Sequence, residues 1–387
     1  MRARRIGIAT AGAMFMASMI GLGAAGQATS TPALPAAPAP QRVPAPNPAG
    51  SGPYQPQAIL QGGIVVPLFP PNSPLLKSDK LNEPEVYSMT GGAPGRIASI
   101  VGIHNPSIEF HGVPNSLNTG AVVIVAAGGG HNTLNVGSEG SDFVPFFYNY
   151  GINTVILRNR LRRDGYNPQT DEVYDAQQAI RMVRAHAADW RIDPHKIGIM
   201  GFSAGAELAA PAALAYGEFG RAHSEAADPL AAISARPDFV GLVYPGPTPF
   251  TRDPNTPIPA DAPPTFIICA GTGDAVHAVW ADAYFAAFLK ARIPNLEMHI
   301  YANGRHPGDP LPDGTNMTGG LTDRNGTPFG TWQFRFIDWM RDLGFLQKSG
   351  VETRAARDVA TRVANPPQTG RGGGAAQSSA PPPAAGR

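Results

Sequence analysis

Three side chains of this sequence have the types and the order needed for nucleophilic acyl transfer: Ser203, Asp274 and His306. A serine hydroxyl is a weak nucleophile until a neighbouring base takes its proton, and an imidazole titrating near neutrality can take and return it. A carboxylate behind the imidazole holds its tautomer and stabilises the imidazolium that forms. Ser203 is the centre of Gly201-Phe202-Ser203-Ala204-Gly205, Asp274 ends Gly271-Thr272-Gly273-Asp274, and His306 lies in Gly304-Arg305-His306-Pro307-Gly308. The pentapeptide alone is weak evidence, because with 45 glycines in 387 residues about 0.2 such matches arise by chance.

The elements around these residues carry the argument. A β-branched run at 196–200 precedes the pentapeptide and the helix-forming run 204–215 follows it, so Ser203 falls on a sharp strand-to-helix turn. Such a turn lifts the hydroxyl out of the sheet and aims the helix N-terminus and the Ala204 amide at the oxygen of an attacked carbonyl. Gly128-Gly129-Gly130 follows the strand 121–126 and supplies main chain without a Cβ, which makes Gly129 and Gly130 the other candidate oxyanion donors. A phosphate cradle is the competing reading of three glycines, but neither a dinucleotide fingerprint nor a following Gly-Lys-Ser/Thr is present. Asp274 follows the strand 265–269, with an N-cap for a helix from about Ala278 as its alternative. His306 follows the strand 296–301. Among nine histidines, His299 and His186 sit in a strand and a helix, while His131 and His277 adjoin the candidate site. No His-Glu-x-x-His or other ligand cluster occurs, so neither a metal nor a cofactor is expected.

The remaining strands are expected at 154–157 and 239–243, and helices at 173–190, 278–292 and 331–343. Short apolar strands alternating with amphipathic helices predict an α/β fold: a mostly parallel central sheet with helices on both faces. The segment 108–113 is expected at its antiparallel edge. Residues 1–28 read as an export signal, with basic Met1-Arg2-Ala3-Arg4-Arg5, an apolar run 6–22 and small residues after it. Retention as a membrane anchor and a twin-arginine route are the alternatives. Residues 29–56 and 349–387 are Pro/Ala/Gly-rich and are expected to be disordered, which leaves 57–348 as the catalytic domain. A net charge of +1 and no basic stripe argue against a nucleic-acid partner. The single cysteine, Cys269, cannot form an intrachain disulfide.

With these residues placed, the stretch from about 96 to 346 resembles bacterial α/β-hydrolase serine esterases, the group of acetylxylan, xylanase-associated and dienelactone-hydrolase-like enzymes. The motifs that carry the resemblance are 121–130, Val155-Ile156-Leu157-Arg158-Asn159-Arg160-Leu161, Asp175-Ala176-Gln177-Gln178-Ala179-Ile180-Arg181, the run 193–205, Arg236-Pro237-Asp238-Phe239 and Phe336-Ile337-Asp338-Trp339-Met340. It implies Ser203 as nucleophile, Asp274 as acid, His306 as base, and oxyanion amides near Gly129, Gly130 and Ala204. It also implies a periplasmic or secreted esterase acting on short acyl esters, with acetyl esters of carbohydrate as the leading class. The family usually has an aromatic residue where this chain has His131, and Gly-His where it has Ala206-Glu207. A prolyl-oligopeptidase-type serine peptidase and a non-catalytic glycan-binding relative are the rival readings.

Overall fold

The computed structural model describes residues 52–366, apart from 91–94, 219, 221–227, 254, 303, 311–313, 318 and 322–330. The expected export signal, nearly all of the 29–56 linker and the chain beyond 366 lie outside the described residues.

Eight strands form the main sheet in the order β1-β4-β6-β5-β7-β8-β9-β10. They are β1 (Ile64–Pro67), β4 (Ser107–His111), β5 (Val122–Ala126), β6 (Asn153–Arg158), β7 (Ile197–Phe202), β8 (Phe239–Val243), β9 (Thr265–Ala270) and β10 (Glu297–Tyr301). From β6 to β10 all neighbours run parallel, whereas β4 is antiparallel to both β1 and β6. Strands β5 to β9 are buried along their whole length, as expected where helices cover both faces. The fold is therefore the α/β arrangement that the alternation of patterns predicts. A separate antiparallel pair, β2 (Val86–Met89) with β3 (Ile97–Val101), lies outside the main sheet.

The strands are accompanied by helices α1 (Phe143–Tyr148), α2 (Val173–Ala185), α3 (Ala187–Trp190), α4 (Ala204–Leu214), α5 (Pro249–Arg252), α6 (Ala275–Lys290), α7 (Trp332–Asp342) and α8 (Arg354–Ala364). The helix expected at 173–190 is broken at His186, whose ring stacks on Trp190 at 4.7 Å.

Three expectations are corrected. The segment 108–113 is not the sheet edge: β4 is second, and the short, partly exposed β1, ending in Pro67, takes that place. Proline is tolerated at an edge because its missing N–H faces no partner. The 29–56 linker gives way before residue 56, since Tyr54 is 2% exposed and its amide donates to the Leu81 carbonyl. The tail expected to be disordered from 349 is ordered through α8. Its Arg/Ala composition favours helix, Thr353 caps it by accepting from the Ala356 amide, and Ala355 and Val359, one turn apart, are buried.

A buried ion cluster ties the N-terminal described segment to the sheet. Arg158 on β6, fully buried, donates to Glu85 at 3.0 Å and to Glu109 of β4 at 2.6 Å. Glu109 also accepts from the amides of Ile59 and Leu60 at 2.8 and 3.0 Å and from His111 at 2.9 Å.

Candidate active site

The chain leaves β5 to form β6 on one side and later returns to form β7 on the other. That crossover opens a crevice at the carboxyl ends of β5 and β7, the position at which parallel sheets bind ligands. Gly128-Gly129-Gly130 follows β5, and Ser203 follows β7. Ser203 has φ 51° and ψ −119°, a conformation that costs a non-glycine residue about 1–3 kcal/mol. The flanking glycines make the turn possible. A Cβ on Gly201 would stand 2.2 Å from the Gly205 carbonyl oxygen, and one on Gly205 would stand 2.1 Å from that of Ala126. The Ser203 amide is tied to the Val243 carbonyl at 2.9 Å, which fixes the elbow to β8.

Residues from the ends of three strands converge here. The Ser203 hydroxyl lies 3.0 Å from His306 Nε2, and His306 Nδ1 lies 2.9 Å from Asp274 Oδ2. Asp274 immediately precedes α6 but makes no side-chain cap for it, so the N-cap alternative does not describe this carboxylate. Its other oxygen accepts from His277 Nδ1 at 2.7 Å, and the His277 ring lies parallel to that of His306 at 3.7 Å. Burial works to raise the Asp274 pKa, but the hydrogen bonds from His277 and His306 outweigh it and hold the carboxyl well below its usual range. Asp274, His277 and His306 bring one ligating atom each within 4.8 Å of one another. In this arrangement each Nδ1 is engaged with the carboxylate.

On the glycine side, Gly129 and Gly130 have φ of 135° and 62°, and their amides make no hydrogen bond among the described residues. Ala204 is the first residue of α4, where an N–H has no partner within the helix. The turn is held from behind by Glu139, a residue that belongs to no sequence motif. One oxygen of its carboxyl accepts from the Gly128 amide at 2.7 Å and the other from the Tyr244 hydroxyl at 2.6 Å. Burial raises the Glu139 pKa against those two hydrogen bonds, and burial together with the Glu139 charge raises that of Tyr244 well above its ordinary value. The Tyr244 ring in turn stands edge-on to His306 at 5.3 Å. One buried pair thus spans the glycine turn and the base.

The BD-FAE family model matches residues 111–242. A stretch of 127 residues is 30% identical to an acetylxylan esterase of Xylanibacter ruminicola, covering 33% of this chain and 23% of that protein. Another of 124 residues is 33% identical to endo-1,4-beta-xylanase B of Butyrivibrio fibrisolvens, covering 32% of this chain and 19% of that protein. The chain thus spans about a fifth of the length of these curated relatives. The solved acetyl ester-xyloside bifunctional hydrolase of Caldicellulosiruptor lactoaceticus superposes over 73% of this chain and 97% of its own, with a TM-score of 0.55 and 23% identity. The chain has the α/β-hydrolase fold. The part matched by the family model contains the glycine turn and the elbow, but ends before Asp274 and His306.

Beside the elbow the chain has a cavity of about 460 Å³, lined in part by His131, Arg162, Gln169, Glu207, Thr248 and Arg252. His131, which follows the glycine turn, is held between two carboxylates, Glu172 at 2.7 Å and Glu207 at 3.4 Å. Burial acts to lower its pKa, but the two glutamates outweigh that and raise it from 6.5 to about 9. A raised imidazole pKa stabilises the fold fully below the unfolded value, and the contribution disappears as pH rises through the folded one. The melting temperature is therefore expected to fall between pH 6.5 and about 9, with up to about 3 kcal/mol at stake. His131→Gln should flatten that slope in a thermal-melt series; identical slopes in the two proteins would show that this proton is not involved.

Proposed function

We propose that the chain is a serine carboxylesterase cleaving short acyl esters, with acetyl esters of carbohydrate as the leading class. The observation that carries the reading is the hydrogen-bonded line from Ser203 Oγ through His306 to Asp274, at the end of an elbow whose backbone strain serves to present the hydroxyl. Ser203 attacks the ester carbonyl while His306 Nε2 takes its proton. Amides of Gly129, Gly130 and Ala204 receive the negative charge on the carbonyl oxygen. Collapse of the tetrahedral intermediate expels the alcohol, which takes the proton from His306 and leaves an acyl-enzyme. Water, deprotonated by the same imidazole, then releases the acid and restores Ser203. Asp274 stabilises each imidazolium, and His277 keeps that carboxylate ionised and oriented from its other oxygen.

The short-acyl, carbohydrate part of the reading draws on the relatives named for acetylxylan and xylan chemistry and on the hydrogen-bonding side chains in the mixed lining of the cavity beside the elbow. Export draws on the character of residues 1–28. Among the described residues no helix is long and apolar enough to cross a membrane.

Diethyl p-nitrophenyl phosphate tests the chemistry directly, since an activated serine displaces its nitrophenolate. Intact mass should show one diethylphosphoryl group per chain, and peptide mapping should place it on Ser203. Modification at another residue, or none at all under conditions that inactivate a reference serine esterase, would remove the basis of the reading.

A further inference from the structure

His131 and Glu207, on two segments that meet beside the elbow, are in contact. One follows the glycine turn and the other lies on the first turn of α4, where its amide donates to the Ser203 carbonyl at 3.2 Å. Both line the cavity of about 460 Å³, and neither Ser203 nor His306 does. Through the Glu207 backbone, bonded to that of Ser203, the pair connects the cavity lining to the elbow.

We infer that Glu207 reads the alcohol half of the substrate, accepting a hydrogen bond from a hydroxyl on the carbon next to the ester oxygen of a neutral sugar or polyol. This rests on the esterase reading and specifies the substrate class of the same site.

The geometry gives Glu207 one fixed oxygen and one available oxygen. Oε2 is held by His131, while Oε1 accepts no hydrogen bond among the described residues. Oε1 lies over Gly246, where a Cβ would come within 2.0 Å of it, so the glycine leaves room for the carboxylate in this position. The side chain is 28% exposed, enough to be met by a ligand and too little to be freely hydrated. An ionised carboxylate only accepts hydrogen bonds, so the partner must be a donor. One imidazolium shared between Glu172 and Glu207 leaves the cluster with an excess negative charge, which disfavours uronate or phosphate groups close to the ester. Gln169, Thr248 and Arg252 farther along the cavity supply donors and acceptors for the remainder of a hydroxylated alcohol.

Two acetates that differ by one hydroxyl test this: trans-2-hydroxycyclohexyl acetate and cyclohexyl acetate. In the wild type the ratio of their kcat/KM values should favour the hydroxylated ester by about tenfold or more, because a site built to bond a hydroxyl discriminates against its absence. In Glu207→Gln, assayed at a temperature at which the variant remains folded, that ratio should fall by about tenfold, more than the rate on the plain ester does. A ratio within about twofold of wild type overturns the proposal and leaves the esterase reading intact. A wild type that hydrolyses neither ester nor a short aryl acetate overturns both. Acetylcholine supplies the competing arm: if Glu207→Gln depresses its turnover more than that of the hydroxylated ester, the carboxylate reads a cation and the assignment fails. Competitive inhibition of aryl acetate hydrolysis by methyl β-xyloside in the wild type, and its absence with cyclohexanol, gives the same answer without a variant. Equal inhibition by the two alcohols overturns it.

Discussion

Ser203→Ala is expected to lower kcat for a short aryl ester by about 10⁴- to 10⁶-fold with little change in KM. The ground-state complex gains little from the hydroxyl, whereas the acyl-enzyme cannot form without it. The proposed oxyanion donors, the amides of Gly129, Gly130 and Ala204, remain, so a residual rate of about 10³–10⁴ over uncatalysed hydrolysis should persist. His306→Ala should cost a similar factor, and the double variant hardly more than either, because the two groups act as one unit. Stopped-flow and steady-state assays on all three proteins check this. Additive losses, or turnover of the alanine variant within about a hundredfold of wild type, would mean that Ser203 is not the nucleophile.

The second large effect is on stability. Arg158→Met should destabilise the fold by about 3–5 kcal/mol, because Glu85 and Glu109 would keep their burial and lose their shared cation. Burial opposes the charge on each partner. The two carboxylates nevertheless raise the Arg158 pKa, and His111 with Arg158 lowers that of Glu109. The Glu109 contribution is present above the ordinary carboxylate range and is lost as pH falls through its depressed folded value. Adding Glu85→Gln and Glu109→Gln to Arg158→Met should return much of the loss, since the cost lies in stranded charge rather than in lost attraction. Urea titrations of the single and triple variants measure both. A triple variant no more stable than the single one would show that packing, not charge, sets the cost.

The N-terminal part of this cluster was not legible in the sequence. Residues 52–63 contain no periodic apolar pattern, and their order comes from long-range bonds: the Tyr54 amide to Leu81, and the Ile59 and Leu60 amides to Glu109. The order of the tail has a related cause. Residues after 350 have few large apolar side chains, but a capping Thr353 and two small buried residues one turn apart suffice once a surface waits to receive them. Glu139 and Tyr244 escaped notice because a glutamate and a tyrosine in ordinary contexts carry no local signal; only folding sets them behind the glycine turn.

The sequence by itself determined the local chemistry of this protein. Strand, Gly-x-Ser-x-Gly and helix in succession dictate an elbow, because glycine alone fits where a Cβ would stand about 2 Å from backbone. The order of Ser203, Asp274 and His306 behind β7, β9 and β10 dictates that they emerge at one end of a parallel sheet. Tertiary structure alone decided which groups meet: His277 on the second oxygen of Asp274, Glu139 on the Gly128 amide, and His131 against Glu207. The physical reason is range. Backbone conformation answers to neighbours a few residues away, whereas a hydrogen bond between side chains 76 positions apart exists only after the sheet has brought their strands' ends together.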